Sequence, residues 1–455
     1  MNYKEFTFSK YEYNEGILKL FYNVDDDFEF IEEINFNPNN LKLRELNENE
    51  KQVLDKAFTY LHLVAGISYY KFFLSEKINI KTTKLNKEQK EFFDTLYLKG
   101  LGEFSYRNNL DLRKIINFPY QNDLVEDITP PLSGSETIEN GLVGGNIIVP
   151  IGGGKDSVVT LEMVKKLPNQ KVYTFSVNTA EPIKKCIELS DCENILVLRK
   201  ISPLLIELNQ NLEKYHGFNG HVPITSVIAF ISVCAGIIYN CNTTVISNER
   251  SANIGNTIHN GIEINHQWSK SFEAEKMIHD FIQKYITSEF NYFSLLRPMS
   301  ELQIAKKFAE IGKYNDVFSS CNKNFKIVKN EKPKRWCCNC DKCRFVFLIF
   351  APFIKKEKLV EIFGKNLLND ETQLEGYLEL VGLSKIKPFE CVGEIEESIL
   401  AFLMLEKTEF ANDYIVKDIL SKIKDKYDFD DLKKKYFTLD FNNTLLNDKF
   451  RELYK

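Results

Sequence analysis

Three glycines, a lysine, an aspartate and a serine stand together at residues 152–157, after the apolar run 146–151 and before a helical pattern. Consecutive glycines let backbone N–H groups turn towards an anion, and a helix N-terminus adds favourable partial charge. Val158, Leu161, Val164 and Leu167 mark the buried face of the following helix, with Lys165 and Lys166 in its last turn. The P-loop signature does not fit, because it needs G-x-x-x-x-G-K followed directly by Ser or Thr. Here Asp156 follows Lys155, and Val149 stands five positions before Gly154. A Gly-rich turn capped by Asp156 or Ser157 is the simpler alternative. Three glycines and a lysine exceed what a cap requires.

A second constellation is built from sulfur. Cys321, Cys337, Cys340 and Cys343 give the spacing C-x15-C-x2-C-x2-C, and C-x2-C pairs fit tetrahedral zinc. Cys338 is a spare thiol that can stand in for Cys337. Four ligands leave no open position, so a zinc ion here is expected to be structural. The alternative is a cluster of reduced, partly buried cysteines.

Both constellations need a scaffold, and the chain is long enough for two or three domains at 455 residues. Short β-rich runs at 147–151, 172–177, 195–199 and 243–247 alternate with helical stretches. That alternation predicts a parallel sheet flanked by helices. Pro150 is a caution within the first run, since proline cannot donate to a sheet ladder. Residues 1–140 begin with β-type stretches and continue with helical runs near 48–75 and 86–98. Residues 130–145 are rich in Pro, Gly and Ser and read as a linker. The expected division is an N-terminal α+β region at 1–140, an α/β domain with the Cys-rich knuckle at 141–355, and a helical region at 356–455.

Composition bounds the function. The chain is 44% hydrophobic and 27% charged with net charge −5, which is ordinary for a soluble globular protein and offers no nucleic-acid footprint. The ten cysteines read as reduced thiols, and the N-terminus lacks a secretory h-region, so a cytoplasmic location is expected. Residues 222–239 are uncharged enough to raise a membrane-span reading. Flanking basic residues and aromatic belts are missing there, so a helix buried against the sheet is expected instead.

The glycine loop resembles the SGGxDS loop of the PP-loop ATP pyrophosphatases, with Gly152 in place of the first Ser. That family is similar to the adenine nucleotide α-hydrolases in fold, and it cleaves ATP between the α and β phosphates. The resemblance implies that Gly152, Gly153, Gly154, Lys155 and Ser157 hold the leaving pyrophosphate, with Asp156 near Mg²⁺. It also implies that Ser176 and Asn178, at the end of the second strand, face the adenine and ribose. The 7-cyano-7-deazaguanine synthases of this class carry a similar zinc knuckle.

A longer resemblance runs through "GISYYK", "GLGEFSYRN", "NGHVPITS", "SNERSA", "NHQWSKSFEAE", "YFSLLRPMSELQIA", "WCCNCDKCRFVFLIFAPF" and "KPFECVGE", in order along the chain. Together these look like the UDP-N-acetylmuramoyl-L-alanyl-L-glutamate epimerase family, over about residues 60–400. The family implies ATP-dependent inversion of a terminal L-Glu to D-Glu, with release of AMP and pyrophosphate, in peptidoglycan synthesis. The implied partner is a small molecule, a UDP-muramoyl dipeptide, with no nucleic acid and no membrane.

Such a reaction needs acid and base groups tuned near neutrality. His221 and Cys391 are candidate catalytic groups, besides Lys155 and Asp156 of the loop. Asn248, Glu249 and Arg250 follow a β-run, where open α/β sheets place ligand residues. His266 and Lys270 are candidate substrate contacts, and Arg250 or Arg297 can grip a carboxylate or diphosphate bidentately. Two other readings stay open: an adenylating ligase or synthase of the deazaguanine type, and a non-catalytic nucleotide sensor with a zinc knuckle.

Overall fold

The computed structural model describes residues 3–122, 145–325, 335–384 and 390–455. The linker expected at 130–145 lies outside them except for its last residue. Strands β1 (Glu5–Asn14), β2 (Ile17–Val24) and β3 (Phe28–Asn35) form an antiparallel meander, and β4 (Lys77–Ile80) joins β1 in parallel. Next come β5 (Asn146–Pro150), β6 (Val172–Val177), β7 (Asn194–Lys200) and β8 (Cys241–Ile246). A separate hairpin of β9 (Thr257–His259) and β10 (Ile262–Ile264) precedes β11 (Asn291–Ser294).

The spatial order is β11-β8-β5-β6-β7-β3-β2-β1-β4, one mostly parallel sheet of nine strands. Its parallel part is doubly wound, running outwards both ways from β5. The order reverses between β5 and β8, and in such sheets ligands bind at that reversal, outside the carboxyl ends of the strands. Both faces of β5 are covered: Ile147 and Val149 enter one core while Ile148 enters the other. This is the two-residue alternation of a strand buried on both sides. Helices Lys155–Val164 and Glu181–Ser190 lie with the first core, and Ile224–Tyr239 and Phe272–Tyr285 with the second. The uncharged stretch thus becomes a core helix. Among the described residues no helix is long and apolar enough to cross a membrane.

Pro150 costs nothing here. The pairing of β8 with β5 ends at Ile148, so the proline sits where the ladder already opens into the cavity described below.

The sheet is continuous across residue 140. β3 pairs antiparallel with β7 through Glu33↔Lys200, Ile34↔Arg199 and Asn35↔Leu198. Beside this short seam Arg199 donates to both oxygens of the fully buried Glu32, at 2.7 and 3.0 Å. A bidentate, desolvated pair of this kind fixes register as well as charge.

The region 356–455 is helical and closes the other end of the site. Ser300 caps helix Glu301–Ile311 and also donates to Tyr436 O at 2.7 Å. Glu397 accepts from Leu302 N at 2.9 Å. Two C-terminal helices, Ile395–Leu405 and Phe429–Phe437, therefore hold the start of helix Glu301–Ile311 in place.

Candidate active site

A cavity of about 310 Å³ opens at the reversal between β5 and β8. Its lining comes from the loop after β5 (Gly152, Gly154, Asp156, Ser157) and the loop after β8 (Ser247, Asn248, Glu249). Lys270, Lys342 and Cys391 close a further side. This is the size range of small-ligand sites.

The glycine loop has the geometry of an anion cradle. Gly154 is the N-cap of helix Lys155–Val164 and supplies no side-chain cap, so first-turn N–H groups remain for a ligand. Gly153 has φ +79° and its carbonyl accepts from Ser319 N at 2.8 Å. Ser157 Oγ accepts from Gly152 N at 3.3 Å and donates to Gly154 O at 3.1 Å, which fixes the loop from inside.

Lys155 does not point into the cavity. It is fully buried and paired with Asp156 and Glu301. Burial opposes its charge, but Asp156, Glu301 and Glu249 more than compensate and hold it protonated. Asp156 lines the cavity. Burial works against its ionisation too, and Lys155, Lys342 and Lys270 overcome that and lower its pKa.

Across the cavity, Ser247 Oγ and Asn248 Nδ2 are buried without a hydrogen-bond partner among the described residues. Buried polar atoms are normally satisfied, so two orphans lining one cavity are open to a partner from within it. Arg297 frames this wall from behind. It is 2% exposed, donates to Glu249 O at 2.9 Å and Lys270 O at 2.7 Å, and pairs with Glu275 at 2.5 Å. Its guanidinium ties together the two loops that carry Glu249 and Lys270.

The third side carries groups able to move protons. Lys270 Nζ lies 3.4 Å from Cys391 Sγ, and Lys342 donates to Cys391 O. His266 Nδ1 hydrogen-bonds Glu103, and the imidazole lies close enough to the Cys391 thiol for each to shift the other's pKa. His221 Nδ1 lies 3.6 Å from the same Glu103 oxygen, and the two imidazole rings are 4.8 Å apart. Burial would raise the Cys391 thiol, but Lys270, His266 and Lys342 bring it down to about 7. His266 moves the other way: burial disfavours its charge, and Cys391 and Glu103 raise it to about 9. Burial, with His266 alongside, lowers His221 to about 4 against the pull of Glu103.

The four cysteines meet as the spacing predicts. The sulfurs of Cys321, Cys337, Cys340 and Cys343 lie within 4.8 Å of one another. The separations Cys337–Cys343 and Cys340–Cys343 are 3.8 and 3.5 Å. Tetrahedral zinc with Zn–S of about 2.3 Å needs sulfurs about 3.8 Å apart, so the donor set fits. Cys338 points elsewhere, towards Phe363 O at 3.3 Å. The choice between Cys337 and Cys338 therefore falls to Cys337. This centre adjoins the cavity, because Ser319, Ser320 and Asn322 flank Cys321 while Lys342 precedes Cys343, and all four line it.

Gly152, Gly154, Asp156, Ser157, Asn248, Glu249, Lys270 and Cys391 thus share one cavity. His221 and His266 stand behind Cys391, and Gly153 and Lys155 behind the loop. Four other sequence candidates do not line it. Ser176 is buried against Asn194, and Asn178 bonds the backbone of Arg199 at both ends of its amide. Arg250 lies over the Tyr436 ring and near Glu394, and Arg297 is held internally as above. Sequence reasoning gave no role to Glu103, Ser247, Glu301 or Lys342. All four lie within stretches already singled out, but nothing in their spacing reveals the partner.

The loop makes a paired prediction. A Cβ at Gly152 meets nothing within 4 Å, whereas at Gly153 it would meet Ile183 N at 3.0 Å with φ at +79°. Gly152→Ser should leave the thermal unfolding midpoint close to wild type, a change within about 0.5 kcal/mol. Gly153→Ala should cost about 1–3 kcal/mol. Equal effects of the two substitutions would contradict this loop geometry.

Comparison with known proteins agrees with the longer resemblance. The MurL N-terminal domain matches residues 1–295, and the MurL C-terminal domain matches residues 317–434. A Xanthomonas oryzae protein named UDP-N-acetyl-alpha-D-muramoyl-L-alanyl-L-glutamate epimerase is 37% identical over 92% of this chain and 89% of its own. Proteins of the same name from a Micromonospora species and from Salinispora tropica are each 39% identical. They cover 81% and 77% of this chain, and 79% and 73% of their own. No solved structure matches. The chain belongs to the MurL family of UDP-N-acetylmuramoyl-L-alanyl-L-glutamate epimerases, and it is an enzyme.

Proposed function

We propose that this enzyme inverts the terminal L-Glu of UDP-N-acetylmuramoyl-L-alanyl-L-glutamate to D-Glu at the expense of ATP, through an acyl-adenylate, in peptidoglycan precursor synthesis. One observation carries the reading. An anion-cradling loop with a carboxylate and a thiol–ammonium pair open onto the same cavity, with an imidazole behind the thiol. The names of the relatives supply the substrate. A nucleotide-linked precursor puts the work in the cytoplasm.

The chemistry explains why both halves are needed. Epimerisation is nearly thermoneutral, so ATP is not required to pull the balance. The obstacle is kinetic, because deprotonating Cα beside a carboxylate builds a dianion. Attack of the α-carboxylate oxygen on the α-phosphorus expels pyrophosphate and forms an acyl-AMP, whose carbonyl no longer carries that charge. A base then takes the Cα proton and an acid returns one to the other face. Water finally releases AMP.

The residues divide accordingly. Gly152, Gly154 and Ser157 bind the phosphates through the loop and the open helix N-terminus. Asp156 is the carboxylate suited to Mg²⁺, which when bound would neutralise charge on the leaving pyrophosphate. Lys155 acts from behind by holding Asp156 ionised and in place. Asn248 and Ser247 offer their orphan polar atoms to substrate. Cys391, its thiol lowered to about 7, is the group poised to handle the Cα proton, with Lys270 beside it. The four cysteines would hold a structural zinc that fixes Ser319–Asn322 and Lys342 at the cavity edge.

Turnover in deuterated water should place deuterium at Cα of the terminal glutamate, with AMP formed alongside. A non-cleavable α,β analogue of ATP should abolish the label, because the unactivated acid keeps Cα too weakly acidic for a side-chain base. Exchange of equal rate without ATP would break the adenylate mechanism. AMP formation with retained Cα hydrogen and an added amine would indicate a ligase instead.

Metal analysis of protein purified without added metal should find about one zinc per chain, and chelation should lower the unfolding midpoint. Absence of zinc, with all four thiols freely titratable in the native protein, would remove the site.

A further inference from the structure

The proton-handling cluster extends beyond the cavity wall. Cys391 and Lys270 line the cavity, but Glu103 does not and is 6% exposed. It comes from the short helix Gly102–Arg107, far in sequence from the segments bearing His266 and Cys391. Its carboxylate is the meeting point of three cations or potential cations. It bonds His266 Nδ1, lies 3.6 Å from His221 Nδ1, and pairs with Arg107 at 2.5 Å. With Nδ1 engaged by Glu103, Nε2 is the ring nitrogen of His266 that remains.

We propose that Glu103 is a positioning residue for Cα proton transfer: it orients His266 and keeps it protonated, so that His266 donates to Cys391 and holds its sulfur as a thiolate. The reaction assigned to that thiolate rests on the epimerase reading above, whereas the charge arrangement does not. When Cα is deprotonated, its C–H bond breaks and the proton forms S–H on Cys391. The bonding pair passes into the activated carbonyl as an enolate.

Charge bookkeeping around the sulfur favours this arrangement. Lys270 at 3.4 Å, Lys342 on the Cys391 carbonyl, and His266 all favour the thiolate. Glu390 is the neighbouring acid along the chain, its pKa raised by burial and by Asp341. Glu249 and Asp156 face Lys270 from the opposite wall and keep it charged, in addition to Cys391 itself. A neutral carboxamide at Glu103 would leave a buried imidazole with no anion behind it, and burial already disfavours its charge. Glu103 itself resists protonation: burial would raise it, but His266, Arg107 and His221 lower it to about 2. With Cys391 at about 7 and His266 at about 9, the thiolate–imidazolium form spans the interval between those values. Activity should therefore rise as pH passes the Cys391 value and fall as His266 loses its proton.

Alkylation of Cys391 by iodoacetamide, followed by mass spectrometry at its own peptide across the pH range, reads the thiolate directly and needs no turnover. In the wild-type enzyme the rate should inflect near neutrality. Glu103→Gln should move that inflection up by about one unit, and Glu103→Asp should move it less. Glu103→Gln should also lower kcat about tenfold or more while KM stays within about twofold. An unmoved inflection in folded Glu103→Gln, or equal loss in the Asp and Gln variants, would overturn the proposal. If Glu103→Gln does not fold, His266→Gln carries the same upward shift, and an unmoved inflection there is equally decisive. Failure of the epimerase reading shows differently, as absence of Cα exchange in the wild type whatever the inflection does.

Discussion

A fully buried lysine needs its charge matched where water cannot reach, and Lys155 obtains that match from Asp156 and Glu301. Taking one partner from a buried pair typically costs about 3–5 kcal/mol, so this contact constrains everything around it. It fixes the first turn of the helix after β5, and with it the direction in which Asp156 faces the cavity. It also explains the helical C-terminal region. Glu301 begins a helix whose cap, Ser300, and first turn are held by Tyr436 and Glu397. Glu397, which holds the first turn of that helix, is pushed up to about 8 by burial and by Glu301.

The site then separates into two electrostatic halves on one cavity. On the loop side, open N–H groups and a carboxylate suit phosphate and metal. On the far side, three basic groups surround a sulfur. Arg297 ties the loop after β8 to the sulfur side, since it bonds the backbone of Glu249 and of Lys270 at once. A reaction that activates a carboxylate and then moves a neighbouring proton needs such an arrangement, because the two steps share one substrate atom set. Moving either half by about 1 Å would separate activation from proton transfer. The four-cysteine cluster serves the same end, since the chain around Cys321 and Cys343 supplies Ser319, Ser320, Asn322 and Lys342 to the cavity.

Local chemistry made part of this legible in the sequence. Four strands of the parallel sheet, though not β11, and the glycine loop were readable from periodicity and turn composition, as was the placement of Asn248 and Glu249 after a β-run. The C-x2-C spacing gathered the four thiols correctly, and the sulfur positions chose Cys337 over Cys338. What the sequence could not reveal depends on distant partners. His266 meets Glu103 across 163 residues, and Lys155 meets Glu301 across 146. An exposed phosphate-binding role for Lys155 therefore reads naturally from the motif, yet burial turns that side chain inwards. Ser176 and Asn178 sit on the strand next to β5, on the side away from the reversal, where the chain itself occupies their polar groups. The β3–β7 seam was hidden for the same reason. Three residue pairs merge the N-terminal meander with the parallel sheet, and no local pattern announces such a seam.

In the proposed mechanism the glutamate carboxylate itself attacks ATP before the Cα proton moves. Substrate carrying ¹⁸O in its α-carboxylate tests this most directly, with the AMP and the product analysed by mass spectrometry. Hydrolysis of an acyl-adenylate at its acyl carbon should deliver one ¹⁸O to AMP for each turnover, accompanied by D-Glu in the product. Inverted product with unlabelled AMP would contradict this account, in which water attacks the acyl carbon and the bridging ¹⁸O leaves with AMP.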